Sequence, residues 1–329
     1  MQTVDLKVIL DDKTVAKKVL TALGICDLEA AHRSLVTIAN HGVTLDLLHD
    51  VLNELVAQLP LRPAPDLGLK NLERFIISSR SPISLAALLV RDPTALSSLL
   101  DIFTSSQFLS ELLIKDPESF DLIRLTDGQP VAKQTLEQEL KTEFRSSSSL
   151  KAEASRLRRF KHREMLRIGY GDIIRKFDIE RTSQQLTYLA DAICGTALDY
   201  CKNHLETKHG IPIGFDGNPA QLAVICHGRH GSGDMDYASP LLLSVIYDTD
   251  GQTHGKSKIP NADFFERMMD EFSGLISADT DQGICYPIEF DHRATRGSAK
   301  CSTLIDAIKF FDRNSTASDR LGSIQSRFL

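Results

Sequence analysis

Leu222-Ala-Val-Ile-Cys-His-Gly-Arg-His-Gly-Ser-Gly-Asp-Met-Asp-Tyr-Ala-Ser-Pro-Leu-Leu-Leu-Ser-Val-Ile-Tyr247 decides the fold of the second part of the chain. Its two ends, Leu222–Cys226 and Leu241–Tyr247, are short apolar runs of the kind that form buried strands. Between them, His227–Gly233 holds glycines at 228, 231 and 233. Glycines let backbone N–H groups approach an anion closely, so such a loop after a strand is a common phosphate cradle. A tight turn with no ligand accounts for the same glycines equally well.

Outward from this stretch, Asp248-Thr-Asp-Gly251 supplies turn residues. Asn261–Ile276 then places Phe265, Met268, Met269, Phe272 and Ile276 on one side of an amphipathic helix. Ile284–Phe290 reads as a third strand, with Pro287 marking an edge position or an irregularity. Thr303–Phe311 reads as a final short helix. In the other direction the apolar residues from Val15 to Pro60 recur at helical spacing, and helices resume from Leu69 to about Tyr200. Pro60-Leu-Arg-Pro-Ala-Pro65 cannot continue a helix and is expected to be a linker. Leu85-Ala-Ala-Leu-Leu-Val-Arg-Asp-Pro93 recurs as Leu109-Ser-Glu-Leu-Leu-Ile-Lys-Asp-Pro117, a repeated helix–turn unit with Asp-Pro as helix-start signal. Ser146–Ser149 is expected to separate two helices. The fold class is therefore α+β, with all-α helices followed by a small α/β domain. The expected divisions are 1–68 (helices and linker), 69–208 (helical domain) and 209–329, with an exposed junction between His204 and Asn218.

Composition bounds the function. The chain has 329 residues, 42% hydrophobic and 25% charged, which is ordinary globular usage. A net charge of −6 argues against a dedicated nucleic-acid binder, whose affinity needs clustered Lys and Arg. Six cysteines without metal or redox spacing read as reduced, buried thiols of an intracellular protein. No uninterrupted apolar run of about 18 residues occurs, so no membrane span is expected. The first residues carry acids and no long apolar run, unlike a signal peptide. A soluble, cytoplasmic protein is expected.

The basic stretch Ser155-Arg-Leu-Arg-Arg-Phe-Lys-His-Arg-Glu-Met-Leu-Arg-Ile168 keeps a rough apolar face of Leu157, Phe160, Met165 and Ile168. Its composition favours a solvated helix face, with Glu164 in local pairs, over an anion-facing helix. His162 reads as a surface side chain.

Gly-Ser after a strand, then a second strand, then a third carrying an acid, is the layout of a polymerase-β-like nucleotidyltransferase. The chain resembles the glutamine synthetase adenylyltransferase family, specifically its N-terminal, deadenylylating half, from Asn71 to Arg327. Asn71-Leu-Glu-Arg-Phe75, Ser106–Glu118, Leu157–Ile168 and Tyr188-Leu-Ala-Asp-Ala-Ile193 carry that resemblance in the helices. The resemblance implies Mg²⁺ and ATP, ADP or phosphate as cofactors and glutamine synthetase and a PII-type signal protein as partners; no nucleic-acid or membrane partner is expected, from the charge and the absence of a long apolar run. It places nucleotide binding on Gly228, Arg229, Gly231, Ser232, Ser239 and Arg293.

The family motif G-K-L-G-G-R-E-L-N-x-x-S-D-I-D-L-I-F-L-Y departs here where it matters. Its two aspartates fall on Pro240 and Leu242, which offer no side-chain oxygen. Phosphoryl-type chemistry needs those carboxylates to hold Mg²⁺ against the phosphates. The third carboxylate survives as Glu289, the one catalytic candidate and the one metal ligand carried over. Asp234 and Asp236 form a D-x-D too close to the glycines for the usual layout. They are expected to cap or line a helix after the loop rather than to replace the metal ligands. His227, His230, His254 and His292 lack ligand spacing and read as surface or loop histidines. The expectation is a catalytically impaired relative, a pseudoenzyme acting as a regulatory or binding module. The alternatives are an active nucleotidyltransferase or deadenylylase using Glu289 with relocated carboxylates, and a decaying gene product.

Overall fold

Capping side chains cut the N-terminal half into short helices. These are α1 (Lys13–Ala22), α2 (Leu28–Asn40), α3 (Leu45–Gln58), α4 (Pro65–Ser78), α5 (Pro82–Arg91), α6 (Pro93–Ser105), α7 (Gln107–Lys115) and α8 (Phe120–Thr126). Asp12, Asp27, Thr44, Ser81, Asp92 and Ser106 each accept a hydrogen bond from a first-turn N–H of the helix that follows. Proline opens α4, α5 and α6, where its missing N–H costs nothing. The computed structural model describes every residue except 1–9, 11, 145–148, 294, 296–298 and 314, so most of the serine run lies outside the described residues.

The repeat is real as packing. Leu89 in α5 and Leu109, Leu112 and Leu113 in α7 are buried, and each copy ends at Asp-Pro. The Pro60–Pro65 segment is not a linker. Leu59 is fully buried at the start of a single 3₁₀ turn, and the Asp66 carboxylate, in the first turn of α4, accepts from the N–H groups of Cys26 and Asp27. These bonds tie the segment back onto the preceding helices.

The second half is built from α9 (Lys133–Glu143), α10 (Leu150–Ile173), α11 (Ile179–His209), β1 (Pro212–Gly214), β2 (Leu222–His227), α12 (Gly228–Ser232), β3 (Leu241–Tyr247), β4 (Gly251–Thr253), α13 (Asn261–Ser277), β5 (Ile288–Phe290), β6 (Cys301–Thr303), α14 (Leu304–Arg313), α15 (Ala317–Ile324) and β7 (Arg327–Phe328). The main sheet runs β5-β3-β2-β7, with β6 also on β3, while β1 and β4 form a separate ribbon. β2 is antiparallel to both β3 and β7; β5 and β6 run parallel to β3. Along β3, Leu241, Leu243, Val245 and Tyr247 are buried, and Tyr247 stacks on Phe265 of α13 at 5.2 Å. Leu242, Ser244 and Ile246 therefore form the opposite, half-open face. α+β is the observed class.

By their contacts the residues group into two units. One holds the chain up to Gln129 with Leu166–Phe177, and the other holds Pro130–Met165 with Asp178–Leu329. These lines fall elsewhere than 68/69 and 208/209. α11 packs along α9 and along α13, so its buried face belongs with the sheet that follows it. The third strand is shorter than expected, because Cys285–Pro287 precede the ladder and Pro287 contributes its carbonyl to the Leu241 N–H. The final helix is preceded by β6 and followed by α15 and β7, which the sequence reading missed.

The basic helix is no solvated face. In α10, Arg158 and Arg167 are about as buried as any residue in the chain, and Glu153 and Glu164 are buried with them. Arg158 donates to the carbonyls of Ala154, Leu275 and Gly283 (2.8, 3.1 and 2.5 Å) and also to that of Ala278. Lys161 donates to the Cys285 carbonyl and lies 3.9 Å above the Tyr286 ring. Burial pulls its ammonium down to about 8, with Cys285 opposing that pull. These side chains close the open carbonyls after α13. His162 is half-buried rather than exposed. Of the cysteines, only Cys26 is exposed, and burial raises Cys226 and Cys285 to about 12 and about 11. Among the described residues no single helix is long and apolar enough to cross a membrane.

Candidate functional site

The glycine stretch folds as one turn of helix, α12, entered by Gly228 at φ 56° and left by Gly233 at φ 80°. Gly231 is required by packing: a Cβ there would collide with the carbonyl oxygens of Gln325 and Cys226. The C-terminal segment thus lies directly against the middle of the loop.

His230, expected at the surface, is wholly buried. Its Nε2 lies 2.8 Å from Oδ1 of Asp191 in α11. The same oxygen accepts from Arg327 Nη2 at 2.6 Å, and Oδ2 lies 2.9 Å from Lys133 Nζ. Arg327 Nε also donates to the His230 carbonyl at 3.1 Å. Burial pushes the Asp191 carboxyl upward, but hydrogen bonds from His230, Arg327 and Lys133 outweigh it and hold it at about 2. Asp191 lies in Tyr188–Ile193 and Arg327 ends the resembling segment, but nothing in the sequence signalled that they pair.

The expected nucleotide ligands bond mainly to one another. Arg229 pairs with Asp236 at 2.8 Å, and the other Asp236 oxygen accepts from Ser239 Oγ (2.8 Å) and the Ala238 N–H (2.9 Å). Ser239 holds this carboxyl below the usual carboxylate range, with burial opposing. Ser232 bonds to Asp234 and to the Gly228 carbonyl. Asp234 and Asp236 therefore organise the turn before β3, not a helix after the loop.

At the metal positions, Pro240 precedes β3 and Leu242 stands in register with Glu289 of β5. Glu289 is exposed, and its carboxylate bonds to no described residue. Among the described residues no three His, Cys, Asp or Glu side chains are grouped as metal ligands. One free carboxylate beside a leucine and a proline does not fit an Mg²⁺ ion, which demands near-octahedral oxygen coordination.

A polar chain occupies the same face two residues along. His227 Nε2 lies 2.8 Å from Ser244 Oγ, which donates to Asp291 Oδ2 at 3.1 Å. Asp291 takes a two-point contact from Arg293 (2.8 and 2.7 Å), and Arg293 also pairs with Asp319, whose carboxylate caps α15. Burial holds His227 below the ordinary histidine value, with Asp291 opposing. Burial pushes Asp291 up, but Arg293 outweighs it. Neutral His227 thus donates to a serine that already gives its proton to Asp291, so Ser244 is no activated nucleophile. Arg293 is committed to carboxylates rather than open to a phosphate. His227, like His230, is buried, whereas His254 and His292 are exposed.

A family model described as glutamate-ammonia ligase adenylyltransferase matches residues 96–318. The chain is 26% identical over 321 residues to a bifunctional glutamine synthetase adenylyltransferase/adenylyl-removing enzyme of Pseudomonas aeruginosa. It is 27% identical over 313 residues to the enzyme of that description from Psychromonas ingrahamii, and 27% over 260 residues to that from Thioalkalivibrio sulfidiphilus. The first two alignments cover 92% of this chain and 32% of the relative, so the chain spans about a third of their length.

Proposed function

Because the chain belongs to the glutamate-ammonia ligase adenylyltransferase family, we propose that it is a non-catalytic member that binds glutamine synthetase without modifying it. In this reading Leu222–Phe290 is a nucleotidyltransferase-like core with its glycine turn kept and its metal site lost. The chain acts in the cytoplasm as a regulatory module, with a PII-type protein as a second partner.

One observation carries the proposal: Leu242 sits in register with Glu289, where a second carboxylate would have to stand to share a metal. The charge of the neighbourhood supports it further. Asp291 and Asp319 both hold Arg293, and Glu289 adds a further carboxylate on β5, which is no surroundings for a polyphosphate without metal.

The test uses adenylylated glutamine synthetase with PII-type protein, Mg²⁺ and phosphate. The expected result is a measurable complex with glutamine synthetase and no AMP release. AMP release that disappears in Glu289→Ala would overturn the reading.

A further inference from the structure

A cavity of about 420 Å³ beside Asp191, the acidic hollow around Asp263 and Glu266, and the exposed apolar side of α14 each lack a feature that selects a ligand. A fourth place has one. Between the half-open face of the main sheet and helices α14 and α15 lies a cavity of about 330 Å³. Its body is apolar: Ile225 and Ile246 from the sheet, Ala307, Phe310 and Phe311 from α14. Of its polar groups, His227, Ser244, Asp291, Ser323 and Ser326 are taken up by bonds within the protein, which leaves Ser302 and Arg320.

Ser302, on β6 in register with Ile246, is 5% exposed and lines the cavity, and its hydroxyl bonds to no described residue. That oxygen is not sealed off, so it can exchange a hydrogen bond with whatever enters the cavity. Arg320 of α15 lines the same cavity and makes no ion pair with a described residue; its Nε contact is to Ser315 Oγ at 3.2 Å. The other charged lining group, Asp291, is already neutralised by Arg293.

We propose that this cavity is a binding site for a compact carboxylic acid with an aromatic or branched apolar body. The carboxylate meets Arg320, the body lies against Phe310, Phe311 and Ile246, and Ser302 offers one hydrogen bond inside. An apolar pocket with a few convergent polar groups is the usual form of a small-molecule site. The volume selects the size. It lies at the small end of the range for such sites, suited to one ring with a short acid arm. The site does not depend on the loss of the metal carboxylates.

Phenylacetate, phenylacetamide and acetate are the probes, titrated into the full chain with the isoleucine methyls of Ile225 and Ile246 observed by NMR. Phenylacetate is expected to shift both methyls with a Kd on the order of 0.1–1 mM, and the amide and acetate to bind about tenfold more weakly or worse. Arg320→Gln should erase the preference for acid over amide. Ala307→Phe, checked for an unchanged melting profile, should fill the cavity and remove binding. Should that variant fail to fold, the methyl shifts of the unaltered chain decide alone. Unshifted methyls at about 5 mM phenylacetate, equal binding of acid and amide, or binding that survives in a folded Ala307→Phe would each overturn the proposal.

Discussion

Arg327 Nη2 stands 2.6 Å from Asp191 Oδ1, joining β7 to α11 across 136 positions of sequence. Two short segments, one in a long helix and one at the last strand, are held together through a carboxylate that is 4% exposed. His230 and Lys133 complete the set, so the glycine turn, α9, α11 and β7 share one anchor.

Removing that charge leaves two cations and a buried imidazole facing an amide. Asp191→Asn is expected to destabilise the chain by about 3 kcal/mol, the lower end for breaking a buried pair, because Arg327 and Lys133 keep part of their solvent. The wild-type carboxyl titrates at about 2, below the ordinary value near 4, so the unfolded chain takes up this proton first as pH falls. Its stabilisation is complete above about pH 4 and is lost as pH falls from about 4 towards 2. Denaturant melts at a series of pH values should show a shallower acid loss in Asp191→Asn than in the wild type.

Arg158 tests the basic helix. Its guanidinium closes carbonyls of Leu275, Ala278 and Gly283; a methionine of similar length leaves those of Leu275 and Ala278 without it, while Gly283 keeps its bond from Thr280. Only the Leu275 carbonyl is buried among these, and one buried carbonyl left unpaired costs about 1–3 kcal/mol, so Arg158→Met should lose about 2 kcal/mol. Arg159, on the same helix but without such bonds and exposed, should tolerate methionine within about 0.5 kcal/mol. Thermal melts of the two variants side by side check this, and equal losses would contradict it.

What the sequence made legible follows from the range of each signal. β2, β3, α13 and the start of α6 at Asp92-Pro93 are written in local periodicity and a cap residue, and they stand where expected, whereas Asp116-Pro117 opens only a 3₁₀ turn. The burial of Arg158 and Arg167 was not legible, because composition records charge and not the distant carbonyls that receive it. His230 was misplaced for the same reason: its partner Asp191 is 39 residues away and nothing local marks the pair. At the candidate site, the positions of Pro240, Leu242 and Glu289 followed from the motif. Ser244 and Asp291 did not, since their bond depends on the parallel register of β3 and β5.

The two glycines of α12 should separate by mechanism. Gly228 has open space where a Cβ would go and a φ of 56°, so Gly228→Ala is expected to cost only the strain of the left-handed region, about 1 kcal/mol. Gly231→Ala drives a methyl into two backbone carbonyls, which cannot rotate away as a side chain would. A loss of about 2–3 kcal/mol is expected, with β7 loosened most because Gln325 must retreat. Hydrogen exchange at the Leu329 N–H, which bonds to the Val224 carbonyl, reads that loosening directly.

Restoring the missing carboxylates decides whether they alone separate this chain from metal chemistry. In the natural sequence ATP should bind weakly, on the order of 0.1–1 mM or worse, and with the same affinity in Mg²⁺ and in EDTA. A few charge-assisted bonds at about 1.5–3 kcal/mol each barely exceed the loss of translational and rotational freedom. Pro240→Asp with Leu242→Asp places one carboxylate just before β3 and one on it, the latter in direct register with Glu289. The backbone permits it, because Pro240 donates no hydrogen bond, and Leu242 is only half-buried, so the new aspartate keeps water until metal arrives. The double variant should gain a Mg²⁺-dependent component of ATP binding of tenfold or more, about 1.4 kcal/mol, visible by calorimetry as heat that EDTA abolishes. Arg293 need not move for this, since Asp291 and Asp319 hold it on its own side of the face. A variant that binds Mn²⁺ but still ignores ATP would locate a second lesion at α12, where the Gln325 carbonyl lies against Gly231.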